Sequence, residues 1–238
     1  MMDADNEFHE AVDEHALERL AARALEIVAD ATVIGLGTGH AASVFVRSLG
    51  AQVRAGRRVR GVPTSDASAA LARASGIPLT GLDEPSIDVT VDGADEVDPD
   101  LNLIKGYGGA LVRERIVAAA SRRQLILVGN EKLVPVLGSR GRLPVEVVPF
   151  ALPFVIRELA RLGRRPTVRV AGGRTFTSDN GNVVVDCAVS RIERTAELHA
   201  EIRAIPGVVD TGLFLRTAHT VLVADGPVIR ELSRSKSS

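Results

Sequence analysis

The chain has 238 residues, which suits one large domain or one domain with a smaller companion. Its 29 basic and 30 acidic residues nearly cancel, so charge gives no reason to expect nucleic acid or an anionic membrane as the main partner. No apolar run approaches the roughly 20 residues of a membrane span, and the acidic N-terminus lacks the layout of a signal peptide.

The cysteines and histidines of the chain indicate its compartment and bear on whether it holds a structural metal. The single cysteine, Cys187, excludes an intramolecular disulfide and fits a reducing compartment. We therefore expect a soluble cytoplasmic protein. The histidines show no metal-ligand spacing, which argues against a structural metal; they stand at positions 9, 15, 40, 199 and 219.

Strand-like and helix-like segments alternate through the first part of the chain. The predicted helices are 13–29, 41–49, 66–75 and 110–121, and the predicted strands are 31–36, 60–62, 87–91 and 124–128. This alternation predicts an α/β fold with a doubly wound, Rossmann-like parallel sheet. Ligands bind beyond the carboxyl ends of the strands in such sheets. That rule selects four loops, at 37–41, 63–66, 92–109 and 129–132.

The pattern changes near residue 137. Strand-like runs at 144–149 and 167–170 flank a helix over 150–163, and a further strand and helix follow at 183–189 and 193–204. Asn180-Gly181 favours a hairpin turn before the strand at 183. The segment 137–211 is thus predicted to be a small α+β (ferredoxin-like) domain. A last strand at 220–224 is predicted to return to the main domain, which would comprise 1–136 and 212–238.

The stretch from Asp92 to Glu114 concentrates chemically useful residues after the strand at 87–91. Asp92 and Asp95 leave that strand together, and nearby carboxylates separate their pKa values so that one accepts a proton while the other donates. Three further acids are interpreted as a solvated, turn-capping face: Glu96, Asp98 and Asp100. Glu114 stands early in the next helix, where it is either a shielded general base or a surface residue favoured by the helix dipole.

Lysine is rare in this chain, which makes its positions informative. It occurs at 105, 132 and 236, so 29 − 3 = 26 of the basic residues are arginine. A compact ammonium is not equivalent to a guanidinium fork. Lys105 and Lys132 follow strand-like runs and are either functional positions or chance survivals. Lys105 precedes the glycine-rich turn 106–109, where a backbone can approach a ligand closely.

The glycine run GLGTG at 35–39 joins the first predicted sheet strand to a helix. It lacks the full dinucleotide fingerprint, because His40 and Ala42 stand where a third glycine would be needed. Two readings stay open for this turn. It is a phosphate cradle at a helix N-terminus, or it serves only to pack the helix on its strand.

Together these motifs closely resemble the ribose-5-phosphate isomerase A family, nearly end to end. The motif over 92–114 is highly specific, and its internal spacings match those of the family. The segments that carry the resemblance are GLGTG (35–39), PTS (63–65) followed by Ser68 and Leu71-Ala72, DGADEVD (92–98), KGYGGALVRE (105–114), LPVEVVPFA (143–151), DNGN (179–182) and GLF (212–214).

The resemblance implies roles for particular residues. The catalytic group would be Glu114, Asp92, Asp95 and Lys105. Contacts to the sugar phosphate would come from Thr38, Gly39, His40, Ala41, Asp92, Gly93, Ala94, Asp95, Lys105, Gly106, Tyr107, Gly108 and Lys132. The family needs no redox cofactor and no metal, usually forms homodimers or homotetramers, and uses its small domain as a lid.

The implied reaction interconverts ribose 5-phosphate and ribulose 5-phosphate. After ring opening assisted by Asp92 and Asp95, Glu114 would move a proton from C2 to C1 through a cis-enediol. Lys105 and backbone N–H groups would stabilise the enediolate oxygen.

The sequence departs from the family pattern in three places. His40 and Ala41 replace a Ser-Thr pair of the phosphate loop, Tyr107 interrupts a turn that is usually all glycine, and Gly129-Asn130-Glu131 precedes Lys132 where an Asp and a Ser are usual. Two alternatives therefore stay open. One is an isomerase of a different phosphorylated aldose, and the other is a sugar-phosphate-binding regulator without catalysis.

Overall fold

The computed structural model describes residues 14–84 and 86–234; His9 and the first residue of the helix predicted over 13–29 lie outside these ranges. Within them the chain forms six α-helices: α1 (Glu14–Ile27), α2 (His40–Arg54), α3 (Asp66–Ala74), α4 (Leu111–Ala120), α5 (Leu152–Arg161) and α6 (Thr195–Arg203). The strands in the same ranges are β1 (Val33–Leu36), β2 (Arg60–Pro63), β3 (Val89–Asp92), β4 (Glu96–Val97), β5 (Leu103–Ile104), β6 (Gln124–Gly129), β7 (Arg142–Val147), β8 (Arg165–Val168), β9 (Val170–Ala171), β10 (Arg174–Thr175), β11 (Val183–Ala188), β12 (Val208–Thr211), β13 (Leu213–Phe214), β14 (Thr220–Asp225) and β15 (Val228–Ser233).

The main domain is built on a sheet with strand order β15-β14-β6-β3-β1-β2. Its strands run parallel except β15, which pairs antiparallel with β14. The predicted return of the chain to this sheet is confirmed, because β14 pairs with β6. The chain leaves β1 toward β2 on one side and then crosses to β3 on the other. The ends of β1 and β3 therefore form the switch point at which open α/β sheets bind ligands.

Both faces of this sheet are buried. On β6, Leu125 and Leu127 join the core beneath α1 and α2, whereas Ile126 and Val128 join a second core on the opposite face. Successive strand side chains point to opposite faces, so both sets must be apolar. Leu111, the first residue of α4, packs into the second core and fixes the start of that helix.

The second domain is a four-stranded antiparallel sheet with strand order β12-β7-β11-β8. Helices α5 and α6 follow its first and third strands in chain order, which gives the βαββαβ arrangement of ferredoxin-like folds. Its separate core includes Val145 and Val185 from the sheet, with Leu159 and Ile202 from the helices. The predicted α/β and α+β classes are both confirmed. The domain boundaries at 136/137 and 211/212 stay a prediction.

Several short elements are not predicted from the sequence. A small sheet of order β13-β5-β4 consists of two-residue strands, which are too short to produce a periodic signal. The β9–β10 hairpin lies ahead of the predicted turn. That turn forms as expected, with Gly181 at φ 77° and a bridge from Thr177 to Val183 closing it. No helix in the described ranges combines the length and apolar character needed to cross a membrane.

Candidate active site

Asp92 ends β3 and is fully buried. Its Oδ1 accepts hydrogen bonds from the backbone N–H of Gly93 at 2.8 Å and of Thr38 at 3.1 Å. Thr38 follows β1, so this contact joins the two loops at the switch point. Gly37 permits the approach, because a Cβ at this position would lie 2.3 Å from Asp92 Oδ1.

Lys105 places a buried ammonium between two carboxylates. Its Nζ lies 3.0 Å from Asp92 Oδ2 and 3.2 Å from Glu114 Oε2. It also donates a hydrogen bond to the carbonyl of Gly93 at 2.6 Å. Burial alone lowers the pKa of Lys105, but the charges of Asp92 and Glu114 outweigh it and raise that pKa above the ordinary value. Lys105 is therefore held as a fixed cation.

Glu114 lies in the first turn of α4, and only 5% of its surface is exposed. Burial raises the pKa of Glu114 to about 8, although the charge of Lys105 acts in the opposite direction. The nearby charges of Asp92 and Asp95 contribute to the same rise. A carboxyl group with this pKa exchanges its proton near neutral pH, as a general base requires. Of the two readings left open by the sequence, the solvent-exposed surface glutamate is wrong.

Asp95 lies beside this cluster and is partly buried. Its Oδ2 accepts a hydrogen bond from the backbone N–H of Tyr107 at 2.9 Å. Burial raises the pKa of Asp95 above its ordinary value, although that hydrogen bond and the charge of Lys105 lower it. The charge of Lys132 acts in the same direction as that of Lys105. Lys132 is partly buried and belongs to a 3-10 helix over Asn130–Lys132.

The glycine turn between β5 and α4 has two left-handed positions, Gly106 at φ 103° and Gly109 at φ 81°. A Cβ at Gly109 would also lie 2.3 Å from the ring of Phe176, a residue of the small domain. Gly108 is exposed and faces open space. The small domain therefore covers one side of this turn and leaves its tip accessible.

Tyr107 directs its side chain toward the small domain. Its hydroxyl donates to the carbonyl of Arg142 at 3.1 Å, and the Arg142 guanidinium lies 4.0 Å from the ring centre. Burial raises the pKa of Tyr107, so its phenol stays a neutral donor. The ring packs on the core of the small domain. This departure from the family pattern is thus accommodated between the domains, and the hydroxyl proton is used inside the protein.

The predicted phosphate loop lies where α2 begins. Thr38 Oγ1 lies 2.9 Å from Thr64 Oγ1 and 2.8 Å from Ser65 Oγ, which draws the loop after β1 toward the loop after β2. Gly39 precedes the helix with φ 104°, and His40 is its exposed first residue. The start of α2 has no side-chain cap, so its dipole and orphan N–H groups favour an anion. The N-terminal N–H groups of α3 are already bonded, because Ser65 accepts from Ser68 and Asp179 accepts from Asp66.

The structure brings the four predicted catalytic residues into one neighbourhood. The other predicted contact residues lie in the loops at the same end of the sheet or in the glycine turn: Thr38, Gly39, His40, Ala41, Gly93, Ala94, Gly106, Tyr107, Gly108 and Lys132. Their contact with substrate stays a prediction.

One acid of the motif does not lie where the sequence suggests. Glu96, predicted on a solvated face, is fully buried in β4. Its carboxylate accepts backbone N–H groups of Gly138 and Arg140, each at 2.7 Å. Glu96 therefore anchors the entry to the small domain. Asp98 caps a turn as predicted, since it accepts the backbone N–H of Asn102 at 2.8 Å.

Sequence reasoning leaves out residues that shape the site without carrying its chemistry. The ring centre of Phe214 lies 5.7 Å from Lys105 Nζ and 4.0 Å from the guanidinium of Arg115. Thr64 and Ser65 hold Thr38, as described above. The strand-end rule selects the loop at 63–66, but it does not indicate which partner the hydroxyls bind. Phe214 belongs to the GLF motif, whose apolar type gives no catalytic signal.

Comparison with known proteins gives a consistent result. A family model described as ribose 5-phosphate isomerase A (phosphoriboisomerase A) matches residues 60–227. Ribose-5-phosphate isomerase A of Roseiflexus castenholzii is 50% identical over 226 residues, covering 93% of this chain and 97% of that protein. The solved ribose 5-phosphate isomerase A of Methanocaldococcus jannaschii has a TM-score of 0.88 and 39% identity, covering 92% of this chain and 99% of that one.

A second solved structure is a D-ribose-5-phosphate isomerase in complex with phospho-erythronic acid. It has a TM-score of 0.89 and 37% identity, and the match covers 93% of this chain and 99% of that one. High identity over nearly the whole chain accompanies the same fold and the complete motif over 92–114. This chain belongs to the ribose 5-phosphate isomerase A family.

Proposed function

We propose that Glu114, Asp92, Asp95 and Lys105 carry the isomerase activity of the family in this chain. The chain is an aldose–ketose isomerase of the pentose phosphate pathway that interconverts D-ribose 5-phosphate and D-ribulose 5-phosphate. One observation carries the residue assignment. A buried ammonium, Lys105 Nζ, lies 3.0 Å from Asp92 and 3.2 Å from Glu114 at the switch point of the sheet.

Glu114 is the base that moves the carbon-bound proton. Isomerisation takes a proton from C2 of the open-chain aldose and returns one to C1, so a single carboxyl group must accept it and then donate it. Its burial supports this role, because the raised pKa of Glu114 places both protonation states within reach near neutral pH. The enediol is the intermediate between the two transfers.

Lys105 stabilises the negative charge that develops on the substrate oxygen. Its ammonium is already oriented by the Gly93 carbonyl at 2.6 Å and by the Asp92 carboxylate. A donor fixed before the reaction needs no reorganisation when charge develops, and this preorganisation is a large source of catalysis. Backbone N–H groups of the glycine turn assist at the same oxygen.

Asp92 and Asp95 serve the ring opening that precedes isomerisation. Ring opening requires proton transfer at the ring oxygen and at the anomeric hydroxyl, so two carboxyl groups in different environments suit the step. Asp92 is ion-paired with Lys105, whereas burial raises the pKa of Asp95. The raised pKa of Asp95 suits that carboxyl group to donate a proton in this step.

The phosphate binds at the N-terminus of α2, with Thr38 to Ala41 and Lys132 around it. The uncapped start of α2 supports the assignment. The related isomerase in complex with phospho-erythronic acid binds a phosphorylated sugar acid, which is the same ligand chemistry. The exposed imidazole of His40 adds a donor where the family usually has a hydroxyl.

Three wider assignments accompany this function. The unit at 137–211 acts as the lid-like domain, the chain assembles as a homodimer or homotetramer, and it works in the cytoplasm. The first is supported by the contact of Phe176 with the glycine turn. The other two rest on family resemblance and on the composition of the chain.

A panel of phosphorylated aldoses tests substrate choice directly. We expect ribose 5-phosphate to give the highest kcat/KM by a wide margin over tetrose and other pentose phosphates, without added metal or nucleotide. Tyr107, one motivation for another substrate, uses its hydroxyl proton within the protein. A different aldose at the top of the panel would overturn the substrate assignment, and ligand-induced stabilisation without turnover would overturn the enzymatic role.

A further inference from the structure

One arginine of the small domain holds the glycine turn in place. Nη1 of Arg169 donates to the carbonyl oxygens of both Gly106 and Tyr107, each at 2.9 Å. Arg169 lies between β8 and β9, so the contact crosses from one domain to the other. A single guanidinium nitrogen thereby fixes two consecutive peptide groups beside Lys105.

Arg169 is itself fixed by a carboxylate. Its Nε lies 2.8 Å from Asp186 Oδ2 and its Nη2 lies 2.5 Å from Asp186 Oδ1, a bidentate pair. The exposed fraction is 10% for the Arg169 side chain and 14% for the Asp186 side chain. The backbone of Arg169 is also bonded on both sides, to Val184 and to Phe176. The guanidinium plane therefore has one orientation, and Nη1 is aimed at the turn.

The two hydrogen bonds from Arg169 set the direction of the N–H groups in the turn. In a trans peptide the N–H points opposite to the C=O, so the N–H groups of Tyr107 and Gly108 both point away from Arg169. The N–H of Tyr107 meets Asp95 Oδ2 at 2.9 Å, on the side of the catalytic cluster. The N–H of Gly108 belongs to the second of the two fixed peptides.

We propose that Arg169 and Asp186 are positioning residues for the isomerisation: the small domain uses this ion pair to aim the Tyr107 N–H at Asp95 and the Gly108 N–H toward substrate. The inference rests on the proposed function of the turn, whose N–H groups would support Asp95 and the enediolate oxygen. Neither side chain touches the reacting atoms. Their effect passes through two peptide groups, where a misplacement of about 1 Å can cost about 10²-fold in rate.

The test compares Arg169→Gln, Arg169→Lys and Asp186→Asn with Arg165→Gln, an exposed arginine of β8. We measure kcat and KM for ribose 5-phosphate, inhibition constants for phospho-erythronic acid and inorganic phosphate, and the thermal midpoint. Arg169→Gln should lower kcat/KM by roughly 10- to 100-fold. The inhibition constant for phospho-erythronic acid should rise by a similar factor, whereas that for inorganic phosphate should change less than about twofold.

Arg169→Lys should recover only part of the loss, because one ammonium cannot replace a fork that bonds two carbonyls and a carboxylate. The kcat/KM of Asp186→Asn should lie between those of the wild type and Arg169→Gln. The kcat/KM of Arg165→Gln should match that of the wild type. Unchanged kcat/KM and inhibition in Arg169→Gln would overturn the proposal. A different outcome would show that the pair has only a structural role. In that case Arg169→Lys and Asp186→Asn would bind both inhibitors more weakly by the same factor, and their thermal midpoints would fall sharply.

The two proposals fail in different ways. If the wild-type chain does not isomerise ribose 5-phosphate, the proposed function is wrong. The positioning role is then still decided by whether Arg169→Gln weakens the binding of phospho-erythronic acid more than that of inorganic phosphate. If the wild type is active and the variant is unimpaired, only the positioning role is wrong.

Discussion

At the scale of single residues, burial gives Glu114 and Lys105 their chemistry. A glutamate and a lysine on a surface would ionise independently and gain little from each other. Here 3% of Lys105 and 5% of Glu114 is exposed, and the two groups lie 3.2 Å apart. The sequence indicates both residues, Lys105 by the rarity of lysine and Glu114 by its place after the glycine turn. It does not indicate how deeply they are buried.

The raised pKa of Glu114 predicts an acid limb in the pH profile. The base must be ionised in the free enzyme, so kcat/KM should fall about tenfold per pH unit below a pKa of about 8. The His40→Ala variant should retain the same limb, which would exclude the exposed histidine as its source. A kcat/KM that stays constant between about pH 6 and about pH 8 would contradict the role of a buried Glu114.

Removal of Lys105 should destabilise the protein as well as inactivate it. In Lys105→Met, Asp92 and Glu114 lose their shared cation while both stay buried. Breaking a buried pair in this way costs about 3–5 kcal/mol in the free energy of unfolding. Urea unfolding at neutral pH measures the loss. Lys132→Met, at a partly exposed lysine, should cost less than about 1 kcal/mol, and equal losses in the two variants would contradict the account.

At the scale of elements, the site depends on where strands end and helices begin. β1 and β3 place Thr38 beside Asp92, and α2 starts directly after Gly39. The order of these elements and the loops they select are predicted from apolar runs and glycines, because a parallel sheet buried on both faces needs such runs. The two-residue strands β4, β5 and β13 carry no periodic signal. For that reason the sequence places Glu96 on a solvated face, although β4 buries it.

Gly39 and His40 separate the backbone contribution to phosphate binding from the side-chain contribution. Gly39 has φ 104°, and a Cβ there would meet nothing, so Gly39→Ala adds backbone strain of about 1–3 kcal/mol without a clash. Relief of that strain shifts the start of α2, and KM for ribose 5-phosphate should rise roughly tenfold.

The neighbouring variant His40→Ala keeps the helical backbone and removes an exposed imidazole. Its KM should rise less than about threefold. Steady-state kinetics of both variants against the wild type make the comparison. A larger rise in His40→Ala than in Gly39→Ala would transfer the main phosphate contact from the backbone to the histidine.

At the scale of the whole molecule, arginines on either side of Glu114 tie the two domains together. Arg113 donates to Asp66 at 2.7 Å, to the carbonyl of Asp179 at 2.7 Å and to Asn180 at 2.9 Å. Arg115 pairs with Asp210 and donates to the carbonyl of Thr211. The two-domain architecture is predicted from the change of pattern near residue 137. These contacts are not predictable, because they join residues far apart in sequence through long, polar side chains.

The contacts of Arg113 predict local control of the small-domain loop. Arg113→Gln should speed amide hydrogen exchange in residues 178–182 roughly tenfold, because charge-assisted bonds that hold the loop closed are lost. Arg157→Gln is a suitable control, since that side chain bonds within its own helix to Pro153. Equal exchange in the wild type and Arg113→Gln would show that the domains are held together by other contacts.

The central claim is that Glu114 moves the carbon-bound proton, and Glu114→Gln tests it most directly. The amide keeps the shape of the side chain but cannot accept a proton. We expect kcat for ribose 5-phosphate to fall by about 10²- to 10⁴-fold. Solvent deuterium incorporation should fall with it, while phospho-erythronic acid still binds. The control variant Glu131→Gln, at an exposed glutamate, should keep wild-type activity. Near-full turnover in Glu114→Gln would contradict the account.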